Sequence, residues 1–440
     1  MTTTSFSRRT ALKMAAGATG AAFLAACGKS NGAGGGGGGG VLNVWGGVPP
    51  ESGPNDLIAA FQKEHPDIKV TYTRYVNDDQ GKLKLDTSLQ GGVPIDVFYT
   101  YDTPTLTKRV NAGLAVDLSE KVAGDSDLAK FAADKSPATN VAIGGKVYSV
   151  PAQTSPTVIF VNDSMLSAAG ITIPDGWDVN EYHDVARRLS KAGKVFGSFK
   201  TPPIHRYTIG PNYFYSEDGK SSSFGQPIWR QYLELALAMQ ADGSALPQRT
   251  IKAEKLETFV HGPLLTGRVA MLPAQLFVLR YASDLKEFPH DFKIRAVPNP
   301  VPVKGKEAWN DGAIGDHISI SAKSENQEAA WTFVKYCMMN GNYMIKGGRL
   351  PSLLDPAKQS QAVADLLGPD RDKLYDVASF EKALFQSAPK IPIDTVTTGA
   401  VEIDTMYTKL HDEVLLGQRS VDDFVTQATR EADKAIKAAG

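Results

Sequence analysis

From Val41 to Tyr99 the apolar residues switch in regular turn between the strand period and the helix period, and this alternation constrains the fold most. Val41-Leu42-Asn43-Val44-Trp45 is a short apolar run ending at Gly46-Gly47, the pattern of a buried strand entering a loop. Leu57, Ile58 and Phe61 form one stripe of a helix from about Asn55 to His65, which Pro66 ends. Ile68 to Tyr72 alternates as a half-buried strand does. Lys82 to Gln90 is a short amphipathic helix stopped by Gly91-Gly92, and Ile95 to Tyr99 is again a strand. This βαβαβ rhythm predicts an α/β fold with mostly parallel sheets flanked by helices. Ligands on such sheets sit beyond the carboxyl ends of the strands, so the loops opening at Trp45 and Tyr99 face the expected site.

A second region begins near Pro151. It carries a strand at Val158 to Val161, helices at Glu181 to Lys191 and Trp229 to Ala241, and a strand-like run at Arg268 to Leu272. Ile314 to Ser321 is strand-like and leads into a helix from Asn326 to Met339. Beyond Leu350 the chain reads as mainly helical, with a last helix from Val421 to Ala439, and no segment repeats. With 440 residues there is chain for two or three cores. The net charge of -1 excludes a nucleic-acid binder that works by bulk positive charge. Its 2 Cys make neither a disulfide framework nor a zinc site. Cys337 follows Ala330, Phe333 and Val334 at helical spacing and reads as a small buried hydrophobe.

The first 26 residues contain Arg8, Arg9 and Lys13 and no acid, followed by an apolar stretch from Met14 to Ala26. That stretch is too short to span a membrane and fits a signal peptide. Its end, Leu24-Ala25-Ala26-Cys27, resembles the bacterial lipobox, which implies acylation of Cys27; an ordinary secretory cleavage site is the competing reading. Ser7 to Lys13 resembles a twin-arginine export motif with Ala11 at the usual Phe position, against a general secretory signal with two adjacent arginines. Residues 27–40 end in a glycine run, Gly34 to Gly40, that suits a flexible tether between a lipid anchor and a folded body. The expected location is the outer face of the bacterial cell membrane, or its periplasmic side in a two-membrane cell.

Several stretches, in order, resemble the extracellular solute-binding proteins of carbohydrate ABC transporters, family 1, the maltose-binding protein group. Phe61-Gln62-Lys63-Glu64-His65-Pro66-Asp67-Ile68-Lys69-Val70 follows the first strand as in that family. Pro94-Ile95-Asp96-Val97-Phe98 matches a second segment with Ile95 inserted, and Val110 to Leu114 with Asp117-Leu118 matches a third. Lys146 to Pro151, Val161-Asn162, Gly267 to Met271 and Ile318 to Tyr336 complete the set. The resemblance implies a two-lobe periplasmic-binding-protein (type II) fold with a hinge and three crossings between lobes. The first lobe takes 41–150 plus 312–347, and the second takes 151–311 plus 348–440. It also implies a sugar or oligosaccharide in the interlobe cleft, ABC permease subunits as partners, a monomer, and no cofactor or metal.

A sugar ring needs aromatic faces for its C–H surface and carboxylates, amides or guanidinium groups for its hydroxyls. Trp45 ends the first strand, where a Trp capping the core is the alternative. Tyr99, Tyr101 and Asp102 form the loop after Asp96, and by resemblance Tyr99 and Asp102 face ligand; a Tyr under the loop and an Asp capping the next helix is the other reading. Gln153 follows the first crossing. Tyr213 and Tyr215 lie in an aromatic loop, Gln275 follows Met271, and Trp309 and Asp311 precede the return to the first lobe. Arg349, at the third crossing, either forks onto ligand oxygens or locks the hinge by an ion pair. Thr395 to Thr398 carry no aromatic where some maltose-type relatives do, so a maltodextrin preference does not transfer. The chain lacks G-x-S-x-G, H-E-x-x-H and P-loop motifs, and the expectation is a binding protein rather than an enzyme. A polyol phosphate as ligand and a lipid-anchored glycoside hydrolase are the two competing readings.

Overall fold

The computed structural model describes residues 40–128, 142–387 and 390–439. The arginine pair, Cys27 and the glycine run as far as Gly39 lie outside them. The described strands are β1 (Val41–Gly46), β2 (Lys69–Arg74), β3 (Val97–Thr100), β4 (Ala142–Ile143), β5 (Lys146–Val147) and β6 (Val150–Ser155). They continue with β7 (Thr157–Asn162), β8 (Phe196–Ser198), β9 (Val269–Gln275), β10 (Ile294–Val297), β11 (Ala313–Ile320) and β12 (Leu350–Pro351). One six-stranded sheet has the order β12-β6-β11-β3-β1-β2, a four-stranded sheet has β10-β7-β9-β8, and β4 and β5 pair by themselves.

The expectation of mostly parallel sheets is corrected to mixed ones. β1 runs parallel to β2 and β3, because the helices Pro54–Glu64 and Asp79–Gly91 carry the chain back over the sheet between strands. β11 is antiparallel to β3 and to β6, and β12 to β6. β11 re-enters from the second sheet, at the end where β3 leaves, so it must run the opposite way. In the second sheet β8 and β9 are parallel, whereas β7 is antiparallel to both its neighbours.

The first core lies where Leu42 and Val44 of β1 meet Phe61 and the helix Gln327–Met339. The Phe61 ring sits 5.0 Å from Phe333 and 5.2 Å from Tyr336, both edge-on. Cys337 is a buried member of this core, and burial pushes its thiol up to about 12. Asp96 is buried too, and accepts from Asn43 N at 2.8 Å, Ser324 Oγ at 2.6 Å and Asn326 Nδ2 at 3.2 Å. Those donors tie β1 to the entry of the helix and explain why an acid stands between apolar strand residues.

β7 is buried along its whole length and splits its residues by parity. Val158 and Phe160 enter one core with Leu264 and Leu272, while Ile159 and Val161 enter another with Trp177 and Tyr182. The last helix spans Val421–Ala439, as its apolar residues predict. Phe424, Ala428, Ala432 and Ile436 recur every fourth residue and pack on a fourth core with Trp229 and Leu233 of the helix Pro227–Ala241.

The chain leaves the first sheet between Ser155 and Thr157, so the boundary expected at Pro151 falls inside β6. Asn310 binds the two crossing segments together. Its Oδ1 accepts from Thr157 N at 2.9 Å and Gly312 N at 2.6 Å, and its Nδ2 donates to Thr157 O at 2.8 Å. A Cβ at Gly312 would stand 2.5 Å from Ser155 O, so only glycine lets the strands approach this closely. Among the described residues no helix is long and apolar enough to cross a membrane.

Candidate functional site

A cavity of about 780 Å³ takes its walls from both large sheets. The first sheet and its flanking helices contribute Lys82, Tyr101, Asp102 and His317; Gln275 ends β9 of the second, Asp311 lies just before β11, and Tyr213, Tyr232 and Tyr407 stand alongside. A second cavity, of about 1070 Å³, is lined by Trp177, Arg295 and Trp309 and draws only on segments around the second sheet. The smaller one is the candidate site, because it lies at the carboxyl end of β3 and joins aromatic faces to carboxylates on both sides.

The loop after β3 is shaped by strand parity. Tyr99 shares a face with Val97, so its ring enters the first core and its hydroxyl lies 3.6 Å from Cys337 Sγ. The structure therefore places Tyr99 in the core and outside the cavity lining. Tyr101 does line it, with its hydroxyl accepting from Gly47 N at 2.5 Å. Asp102 caps the helix Thr103–Asn111 through Thr105 N at 2.7 Å and pairs with Lys82 Nζ at 2.9 Å, while still lining the cavity. Burial pushes the Asp102 carboxyl up, but Lys82 and the Thr105 bonds outweigh it and hold it below its ordinary value.

Gln275, Asp311, Tyr213 and Tyr215 are brought to the same cavity. Tyr215 donates its hydroxyl to Thr398 O at 3.0 Å, and burial raises the Asp311 carboxyl against the pull of Lys200. Four other expected residues lie outside the lining. Trp45 packs on Leu85, Leu89 and Phe98 with Lys84 Nζ 5.6 Å from its ring. Gln153 is buried and donates to Gly341 O at 3.2 Å. Trp309 belongs to the larger cavity, with its ring against the backbone of Gly210. Arg349 pairs with Asp316 at 2.6 Å, with its guanidinium 5.7 Å from the Tyr101 ring centroid.

The helix Ala400–Leu415 supplies what the sequence reading missed. Asp404, Tyr407, Thr408, His411, Asp412 and Leu415 recur at one-face spacing and line the cavity. His205 and Arg206, from the helix Ile204–Ile209, also reach it. Asp404 has its carboxyl raised by burial and then by the charge of Asp102. No group of His, Cys, Asp and Glu among the described residues has the makings of a metal site.

The cavity histidines are uncharged at neutral pH, because burial lowers His317 and His411 to about 4 and holds His205 well below its ordinary value. A neutral imidazole offers one donor and one acceptor, which suits a hydroxyl. For His317 the unfolded chain binds the proton near pH 6.5 and the folded chain only near 4. Its stabilising share is complete above pH 6.5 and is lost as pH falls towards 4. His317→Asn is expected to remove about 1 kcal/mol per pH unit of slope between pH 6 and 5 in urea unfolding. Equal slopes in variant and wild type would contradict the buried neutral imidazole.

A cleft walled by two α/β sheets, joined through short crossings and lined from both, is the arrangement of a protein that encloses a small solute. The chain belongs to the bacterial extracellular solute-binding protein family, which it matches over residues 45–342. It has the two-lobed α/β fold of periplasmic binding proteins, and three solved structures illustrate this. An ABC substrate-binding protein from Listeria monocytogenes in complex with cycloalternan is 18% identical, with a TM-score of 0.71 over 90% of this chain and 99% of that one. The GacH receptor of Streptomyces glaucescens, solved unliganded and with acarbose, is 18% identical, with a TM-score of 0.68 over 91% and 99%. An ABC transporter solute-binding protein from Agrobacterium radiobacter in complex with ribitol is 19% identical, with a TM-score of 0.61 over 90% and 98%.

Proposed function

We propose that this protein captures a sugar or oligosaccharide between its two lobes and hands it, chemically unaltered, to the transmembrane subunits of an ABC importer. The observation that carries the reading is the composition of the cavity wall. Tyr101, Tyr213, Tyr232 and Tyr407 offer apolar faces, and Asp102, Asp311 and Asp404 offer acceptors, within one space of about 780 Å³. The cycloalternan and acarbose complexes support a saccharide ligand. A phosphorylated solute is less well matched. Lys82 is held by Asp102, Arg206 by Asp394, and Lys252 by Glu257 and Asp412, which leaves Lys200, among the described cavity cations, as the one with no ion pair to offer an anion. An unphosphorylated polyol is the nearest competitor, given the ribitol-bound neighbour.

In this reading one lobe is built on the first sheet and the other on the second, with the first crossing at Pro156 rather than at the expected 150/151 boundary, and ligand favours the state in which they close. The protein works as a monomer, exported by a twin-arginine signal and held to the outer face of the membrane through acylated Cys27. A thermal-shift screen of mono-, di- and trisaccharides against ribitol, mannitol and sugar phosphates tests the ligand class. The expected result is stabilisation by a saccharide that chromatography then recovers intact. Stabilisation by a phosphate alone, or recovery of a cleaved product, would overturn the proposal.

A further inference from the structure

Two loops of the second-lobe wall are joined by a set of charged and neutral hydrogen bonds around one aromatic ring. Arg206 grips Asp394 in a fork, Nη1 to Oδ1 at 2.8 Å and Nη2 to Oδ2 at 2.9 Å, and also donates to Gly210 O at 2.7 Å. The same Asp394 Oδ1 accepts from Asn212 N at 2.6 Å. Asn212 has φ 55, a left-handed conformation that Asn tolerates better than most residues. In that conformation its Oδ1 accepts from Thr395 N at 2.6 Å and Val396 N at 2.9 Å. Tyr213 follows directly, half-buried, with the Arg206 guanidinium 4.5 Å from its ring centroid and its ring lining the cavity.

The fork costs side-chain ordering and partial desolvation of both charges. We propose that Arg206, Asp394 and Asn212 are positioning residues that hold the Tyr213 ring as a preformed stacking surface for the ligand. The inference rests on the saccharide reading above. The fork fixes the guanidinium, the guanidinium fixes the ring, and Asn212 fixes the backbone that carries it. A side chain held in this way loses less freedom when ligand binds, which is how preorganisation raises affinity.

The test has two arms. In the first, 3-fluorotyrosine is incorporated into the full chain and the Tyr213 resonance is assigned through Tyr213→Phe. Wild type gives one narrow fluorine line, and Asp394→Asn and Asn212→Gly each shift or split it. Asn212→Gly keeps access to the left-handed backbone, so it reports on the lost side-chain bonds in a folded protein even where Asp394→Asn unfolds. In the second arm, maltose, maltotriose and cellobiose are titrated calorimetrically. Each variant weakens the bound saccharide by about tenfold, the scale of one charged hydrogen bond. In a Tyr213→Ala background the same changes cost less than about twofold. Fluorine lines unchanged in both variants, or equal losses with and without Tyr213, overturn the proposal. If none of the three sugars binds wild type, these glucosides are excluded as ligands, while the fluorine arm still decides the positioning role.

Discussion

Tyr99→Ala lowers the free energy of unfolding by about 3 kcal/mol, and Tyr99→Phe leaves ligand affinity unchanged. Both results follow from the parity of β3. Val97 and Tyr99 point into the core that holds Cys337, and Phe98 points to the opposite face with Leu85 and Leu89. The Tyr99 side chain is buried, and its hydroxyl meets only the weak acceptor Cys337 Sγ, so most of the loss is the space left by the ring. Urea unfolding of the alanine variant and calorimetry on the phenylalanine variant check the two halves. A stable alanine variant with lost affinity would return Tyr99 to the ligand.

Trp229→Ala costs about 4 kcal/mol and also abolishes ligand binding. Trp229 is fully buried, and His205 stacks on it at 4.3 Å, with Phe224 at 4.6 Å and Tyr407 at 5.5 Å. His205 and Tyr407 line the cavity, so removing their shared backing disorders the wall as well as the core. Its Nε1 donates to Ser223 Oγ at 3.1 Å, a bond that Trp229→Phe also loses, leaving that variant destabilised by about 1 kcal/mol or more but able to bind. Full affinity in a folded Trp229→Ala variant would show that the second-lobe wall does not depend on this core.

The local periodicities were legible and the long-range pairings were not. The final helix could be read because Phe424, Ala428, Ala432 and Ile436 all face one core. The parallel trio β1, β2 and β3 could be read because the connecting helices are in the sequence itself. Nothing in Ala313–Ile320 reveals its direction, since alternation is the same read either way and its partners β3 and β6 lie far back in the chain.

The site divides along the same line. Tyr101 and Asp102 follow the end of β3 and Gln275 ends β9, where α/β sheets put ligands, while Asp311 lies just before β11; all four line the cavity. Trp45 and Tyr99 carry suitable chemistry but fall on packed faces. The stripe from Asp404 to Leu415 went unread because polar residues at helical spacing look like a solvated face until another lobe covers them. Asp102 shows the two readings are compatible, for it caps a helix and lines the cavity at once.

Calorimetry on wild type, Asp102→Ala, Tyr407→Ala and the double variant tests most directly whether one solute is held from both lobes. The titrant is the saccharide or polyol that stabilises wild type most. Wild type is expected to bind one molecule with micromolar or tighter affinity, about -8 kcal/mol. Each single variant loses at least about tenfold, and the double variant gives no heat of binding. Wild-type affinity in the double variant would place the ligand elsewhere and contradict the account.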